Sequence, residues 1–291
     1  MTDIASGRTR WFIPAPGPDE TLASVIGRAA AFYGCTVSAL WAELHGPHLE
    51  SSGSLDHPTP HALQRLARAL GAPAETLRNH LLVDGPRWLR LEARRAYCPA
   101  CWLEDRVAGR PFGFRRDWAR VLAMRCKKHD LPLLQSHAQE RLDSDWLDEL
   151  VLLHESAGDV ADLHPLGEAG VLLRWIDAVG ETLDRVLFDG EAWPREWRFD
   201  PHEAQRRLAA SCNVETREWD DLSITRVMVP PALRRFVHTR CTSSGSSRPL
   251  HWEGVQAHGD PGFRRAALWL LGWQLVPHLP PSYCPCWLPG P

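Results

Sequence analysis

Hydrophobic positions recur at helical spacing in several stretches of the chain, and each stretch is bounded by residues that start or stop a helix. In the first, Leu22, Val25, Ile26, Ala29 and Tyr33 fall three or four apart, the spacing of one buried helix face. Asp19 is the expected N-cap, and Gly34 the expected stop, because glycine takes the left-handed C-terminal conformation without steric cost. A second helix is expected from Thr36, with Val37, Leu40, Trp41 and Leu44 turned inward. The plan then recurs. Thr59-Pro60 reads as N-cap and first helical residue, Leu63, Leu66, Ala67 and Leu70 form the apolar face, Gly71 is the stop, and a short helix from Pro73 carries Leu77 and Leu81. Sliding the first unit by 37 residues superposes Arg28 on Arg65, Ala30 on Ala67, Gly34 on Gly71, Leu40 on Leu77 and Leu44 on Leu81. Two tandem helix-turn-helix units, joined by the turn-rich stretch 46–58, account for this.

Further amphipathic helices are expected at 146–153, 171–188, 202–211, 231–238 and 262–275. Little of the chain alternates in the manner of a strand, so the fold class is mainly α. The organisation read from these patterns is an N-terminal helical region (1–84), a small central module (85–135), an acidic helical domain (136–240), and a stretch (241–291) with a Ser/Gly linker at 242–247, a helix and a tail rich in proline and cysteine.

Composition adds bounds. In 291 residues, 24% charged and 44% hydrophobic side chains are ordinary for a soluble globular chain with two or three modules. No apolar run approaches a membrane span and no secretory leader opens the chain, so no membrane contact is expected. The eight cysteines lack the density of a small secreted disulfide framework, which points to a reducing cytoplasm. Cys35 and Cys212 read as buried, reduced and structural.

The net charge of −3 hides a division. Residues 86–130 hold twelve Arg or Lys and five Asp or Glu, a local +7, whereas residues 140–190 hold three basic and thirteen acidic residues, a local −10. A basic module beside an acidic segment implies two different partners, an intramolecular contact, or two solvated faces.

The chemistry concentrates in the basic module. Cys98-Pro-Ala-Cys101 is followed, after 24 intervening residues (102–125), by Cys126-Lys-Lys-His129. Two such knuckles supply three thiolates and an imidazole to one tetrahedral zinc ion. Between and beside them, Arg106, Arg110, Arg115, Arg116, Arg120, Arg125, Lys127 and Lys128 are candidates for nucleic-acid contact, because guanidinium groups pair bidentately with phosphate and stack on bases. Phe112, Phe114 and Trp118 alternate with these arginines and are expected mostly to fill a small core. A second zinc site can be drawn from His238, Cys241, Cys284 and Cys286, with His278 as a substitute for His238, although C-x-C is a poorer knuckle than C-x2-C.

Nothing in the chain reads as a catalytic centre. Cys126 and His129 are claimed by the metal, a four-ligand zinc leaves no position for water, and neither a phosphate-binding G-x-x-x-x-G-K-[ST] loop, nor H-E-x-x-H, nor G-x-S-x-G occurs. The helix-turn-helix units are also ambiguous as DNA readers. The expected second helix of the first unit has no Lys or Arg, and that of the second offers Arg78, Asn79 and His80. Packing, protein binding and major-groove contact all remain open for them.

The segments Arg95-Ala-Tyr-Cys-Pro-Ala-Cys-Trp-Leu-Glu-Asp105, Phe114-Arg-Arg-Asp-Trp118 and Cys126-Lys-Lys-His-Asp-Leu-Pro-Leu-Leu134, with the opening Pro14-Ala-Pro-Gly-Pro-Asp-Glu-Thr-Leu-Ala-Ser24, resemble the TniQ family of transposition targeting proteins. The resemblance spans about residues 12 to 135. It implies a non-enzymatic adaptor that marks an insertion site and recruits an AAA+ ATPase of the TnsC type. The target would be read by direct DNA binding or by docking on an RNA-guided Cascade-type complex, as in CRISPR-associated transposons. The competing reading is a stand-alone zinc-containing DNA-binding regulator. Large apolar helix faces also make a homodimer an expectation.

Overall fold

The computed structural model describes residues 2–3, 8–9, 16–17, 19–45, 55, 57–82, 85–110, 112–135, 167–212, 231–233, 255–256 and 261–276. The expected helix at 146–153, residues 234–238 of the expected helix at 231–238, and the linker at 242–247 lie outside these.

The first four helices are those that the capping residues announce. Helix α1 (Leu22–Phe32) begins at Thr21, whose hydroxyl accepts from the Ser24 N–H at 3.2 Å, and ends before Gly34 at φ +64°. The expected cap, Asp19, instead sits outside the helix at φ +57°, in the turn that leads the chain into it. Helix α2 (Val37–His45) starts under Thr36, which accepts from the Ala39 N–H at 3.1 Å. Helix α3 (Pro60–Leu70) is capped by Thr59 and stopped by Gly71 at φ +63°, and α4 (Ala74–Arg78) follows Pro73. The 37-residue repeat is therefore real at α1/α3 and at its two glycines, while its second helix shortens from nine residues to five. Leu22, Ile26, Ala29, Leu40, Leu44, Leu63, Leu66 and Leu77 from the four helices share one core.

The central module has a second core. Strands β3 (Ala96–Tyr97) and β4 (Leu134–Gln135) pair antiparallel and close its ends together. Preceding them in the chain, β1 (Thr2–Asp3) and β2 (Arg8–Thr9) form a separate two-residue antiparallel pair. Helix α5 (Pro99–Val107) leaves β3, and Tyr97 stacks on Trp102 with centroids 3.9 Å apart. Trp118, Leu131 and Leu133 are buried beside them, with Phe112 and Phe114 packed at the edge, so the aromatics do form a core.

The third core joins distant parts of the chain. Helices α6 (Gly167–Phe188), α7 (Pro201–Cys212) and α8 (Pro261–Leu275) pack together and onto Leu89, Val121, Leu122 and Met124. Close approach is built into α6 at Gly180, where an added Cβ would stand 3.1 Å from the Leu122 carbonyl oxygen. Two buried arginines of α8 fasten the joint. Arg264 donates to the carbonyls of Arg120 and Val121, and Arg265 to those of Met124 and Leu133. Each such charge-assisted bond to a buried carbonyl is worth about 1.5–3 kcal/mol.

Among the described residues no single helix is long and apolar enough to cross a membrane.

Candidate metal centre

The two knuckles converge because each sits on a tightly turned backbone. Cys98 is the residue before α5 and Cys101 lies in its first turn, with Pro99 opening the helix. The second knuckle is a turn in which the Asp130 N–H donates to the Cys126 carbonyl at 2.9 Å and the Cys126 N–H to the Leu131 carbonyl at 2.8 Å. Asp130 takes φ +57° to make it.

The donor atoms of Cys98, Cys101, Cys126 and His129 all lie within 4.8 Å of one another. The Sγ atoms of Cys101 and Cys126 are 3.6 Å apart, too far for a disulfide, and all three cysteines are free thiols. His129 Nδ1 is 3.5, 3.3 and 3.7 Å from the sulfurs of Cys98, Cys101 and Cys126. A tetrahedral zinc with ordinary bond lengths would demand sulfur–sulfur edges of about 3.8 Å and sulfur–nitrogen edges of about 3.6 Å. The cluster is therefore sized to hold one metal ion and is consistent with zinc.

Its electrostatics point the same way. Three thiols this close cannot all ionise without a cation among them. Hydrogen bonds from the Cys101 and Cys98 thiols hold Cys126 far below the usual thiol range, while those same contacts, with burial, push Cys101 up. A bound cation removes the conflict and takes all three as thiolates. Outside the ligands, Glu104 accepts from Lys128 Nζ through Oε2 and lies 3.0 Å from His129 Nε2 through Oε1. Lys128 and then His129 hold the Glu104 carboxyl below its ordinary range.

The eight cations expected to face phosphate are differently engaged. Arg110 and Arg115 both donate to the buried carboxylate of Asp105. Arg116 donates to the Asn79 carbonyl at 2.7 Å. Arg120 pairs with Asp117 and Asp184, Arg125 with Asp130 and Asp177, and Lys128 with Glu104. Only the exposed Arg106 and Lys127 show no side-chain partner among the described residues. Arg120, Arg125 and Lys127 share a cleft of about 550 Å³ with Arg87 and with Asp177, Glu181 and Asp184 of α6. Arg87 bridges Asp184 and Asp189 there, and hydrogen bonding to Asp184 raises its already high pKa. The acidic and basic stretches thus meet inside one molecule.

Asp177 is the buried extreme of that contact. Burial pushes its carboxyl up to about 7, against the pull of Arg125 and Arg265. Its Oδ2 is 2.7 Å from Arg125 Nε but off the hydrogen-bond direction, so the ion pair only partly offsets desolvation.

The residues behind the module were not apparent as a site from sequence. Glu20 accepts from Ser24, from Arg28 and from the Gly17 N–H, and this cluster is buried against Gly113. The Thr21 N–H donates to the Phe114 carbonyl, the Phe114 N–H to Ser24 Oγ, and the Arg116 N–H to the Asp19 carbonyl. The signal was present as polar residues four apart, Glu20, Ser24 and Arg28, on an otherwise apolar face. Cys35 is half-buried rather than fully buried. Residues His238, Cys241, Cys284 and Cys286, and the alternative His278, lie outside the described residues.

The opening Asp-Glu-Thr-Leu-Ala-Ser stretch thus packs directly on the Phe-Arg-Arg-Asp-Trp stretch between the knuckles, so the segments of the resemblance form one physical unit. Residues 11–133 match the TniQ family model. The match covers less than half of the chain and is a likeness to the TniQ family over that stretch. A TniQ family match implies an association with transposition. No curated protein and no solved structure matches the chain.

Proposed function

We propose that this chain is a non-enzymatic targeting adaptor in DNA transposition, linking a target-site recognition complex to an AAA+ regulator of the TnsC type, and that the metal it holds is zinc. The observation that carries the adaptor reading is the internal commitment of its arginines. A protein that binds duplex DNA unaided draws most of its affinity from phosphate neutralisation, typically through six to ten contacts, about one counterion each. Here five of the eight candidate cations already carry carboxylates and Arg116 a carbonyl. Helices α1 and α2 cross at 98°, an angle suited to a helix-turn-helix. Yet α2 has no Lys or Arg, and Arg78 of α4 pairs with Glu75. These features favour a protein or ribonucleoprotein surface over bare DNA as the target of docking. The metal's role is to hold α5, the loop 112–120 and β4 in one piece. With three thiolates and an imidazole it has no open position for chemistry.

The test combines two assays on the full chain. Co-purification with a TnsC-type ATPase is expected, and is expected to be lost in the Cys98→Ser/Cys101→Ser variant or after chelation. Mobility shift on duplex DNA across a salt series is expected to give weak binding with a shallow slope. Tight binding of the isolated chain to one defined duplex, with a slope of about six or more counterions, would favour the stand-alone regulator instead.

A further inference from the structure

A histidine can ligate a metal through either ring nitrogen, and the choice is set by what holds the other one. In this chain the two nitrogens of His129 face opposite environments. Nδ1 lies 3.3 to 3.7 Å from the three sulfurs, and Nε2 lies 3.0 Å from Glu104 Oε1. Glu104 reaches that place because it stands three residues after Cys101 on α5, one turn along the same face. Its second oxygen is held by Lys128, the residue next to the histidine on the other knuckle. The carboxylate therefore spans both knuckles, gripping the first through its own helix and the second through two adjacent side chains.

We infer that Glu104 is a positioning residue of the metal site: it accepts the Nε2–H of His129 and so selects the ring tautomer whose Nδ1 lone pair points at the ion, with Lys128 steadying the carboxylate. Without that acceptor the imidazole can flip or carry its proton on Nδ1, and both outcomes leave three sulfurs and no nitrogen aimed at the metal. A mere surface ion pair between Glu104 and Lys128 would leave metal affinity untouched. The inference rests on the reading of Cys98, Cys101, Cys126 and His129 as ligands.

The experiment uses the full chain and zinc itself. Zinc affinity is measured by competition with a chromophoric chelator, and the His129 ring is observed by long-range nitrogen–proton NMR. The parent is expected to bind one zinc at these residues through Nδ1. Glu104→Ala is expected to bind about 10–100-fold more weakly, the range seen when an outer partner of a ligating histidine is removed. Glu104→Gln, whose amide oxygen still accepts, should recover most of that loss, and Lys128→Ala should cost only a few-fold. Glu104 is partly exposed, so these variants should fold, and their circular dichroism in excess zinc should match the parent. Glu104→Ala binding zinc within about twofold of the parent, with Nδ1 still ligating, overturns the positioning role and leaves the metal site standing. A parent chain that takes up no zinc overturns both.

Discussion

Asp177 offers a sharp test of how the acidic segment is joined to the metal module. In the folded chain burial holds its carboxyl at about 7, against 3.8 for an unperturbed aspartate. Between those values the folded state binds a proton that the unfolded state has released. Stability therefore falls as pH rises through the window, and the penalty is complete above about pH 7. The part of the window above pH 5 spans about two pH units at about 1.4 kcal/mol each, so the single group should remove about 2–3 kcal/mol between pH 5 and pH 8. An asparagine at this position would have nearly the same shape and no charge to desolvate. Urea unfolding of Asp177→Asn and of the parent, followed by tryptophan fluorescence at pH 5, 6, 7 and 8 with zinc held constant, isolates this contribution, because every other titrating group is common to both. The variant should gain on the parent progressively, by about 2–3 kcal/mol over the range. The charged neighbours facing Asp177 are Arg125, Arg265, Glu181 and Asp130. If the two stability curves stay parallel, or if the variant loses ground at pH 8, Arg125 compensates the carboxylate fully and the desolvation argument fails.

Two further perturbations probe the joint between α1 and the metal module. Gly113→Ala would place a Cβ 2.6 Å from the Glu20 carboxylate, pushing it off Ser24 and Arg28; a loss of about 1–3 kcal/mol by chemical denaturation is expected, and an unchanged midpoint would show that the loop yields freely. Glu20→Ala removes the carboxylate from the buried Arg28 and should cost about 3–5 kcal/mol, whereas the double variant Glu20→Leu/Arg28→Met should recover part of it; a double variant as damaged as the sum of the singles would refute the pairing as the cause.

What the sequence displayed well were features whose physics is local. Thr59, Pro60 and Gly71 act on backbone groups within a turn of themselves, and the helix between them is where they put it. The clustering of Cys98, Cys101, Cys126 and His129 was legible for a related reason. A C-x2-C pair needs only one turn of backbone to aim both sulfurs at a point, and the second knuckle announces itself by the same spacing. Asp19 misled because a residue of good capping chemistry can equally occupy a left-handed turn. Its carbonyl is used by Arg116, a contact across almost a hundred residues that no local rule contains.

The charge division shows why counting residues along a chain and summing them in space differ. The +7 and −10 stretches suggest two faces seeking two partners, yet Arg87, Arg120 and Arg125 meet Asp177, Asp184 and Asp189 from positions up to about a hundred residues away. The buried Arg264 and Arg265 are a similar case, since arginine in an apolar helix is ordinarily expected to reach for water. Here the carbonyls of the 120–133 loop take the place of that water. These long-range pairings need the fold before they exist, so they could not be read from spacing. They also change the functional argument, because a guanidinium that already holds two carboxylates gains little by exchanging them for phosphate. That commitment is what the proposed adaptor role rests on. Arg87, Arg120 and Arg125 tie the module to the acidic residues of α6 and to Asp189, and the exposed Arg106 and Lys127 are the two candidate cations without an ion-pair or hydrogen-bond partner among the described residues.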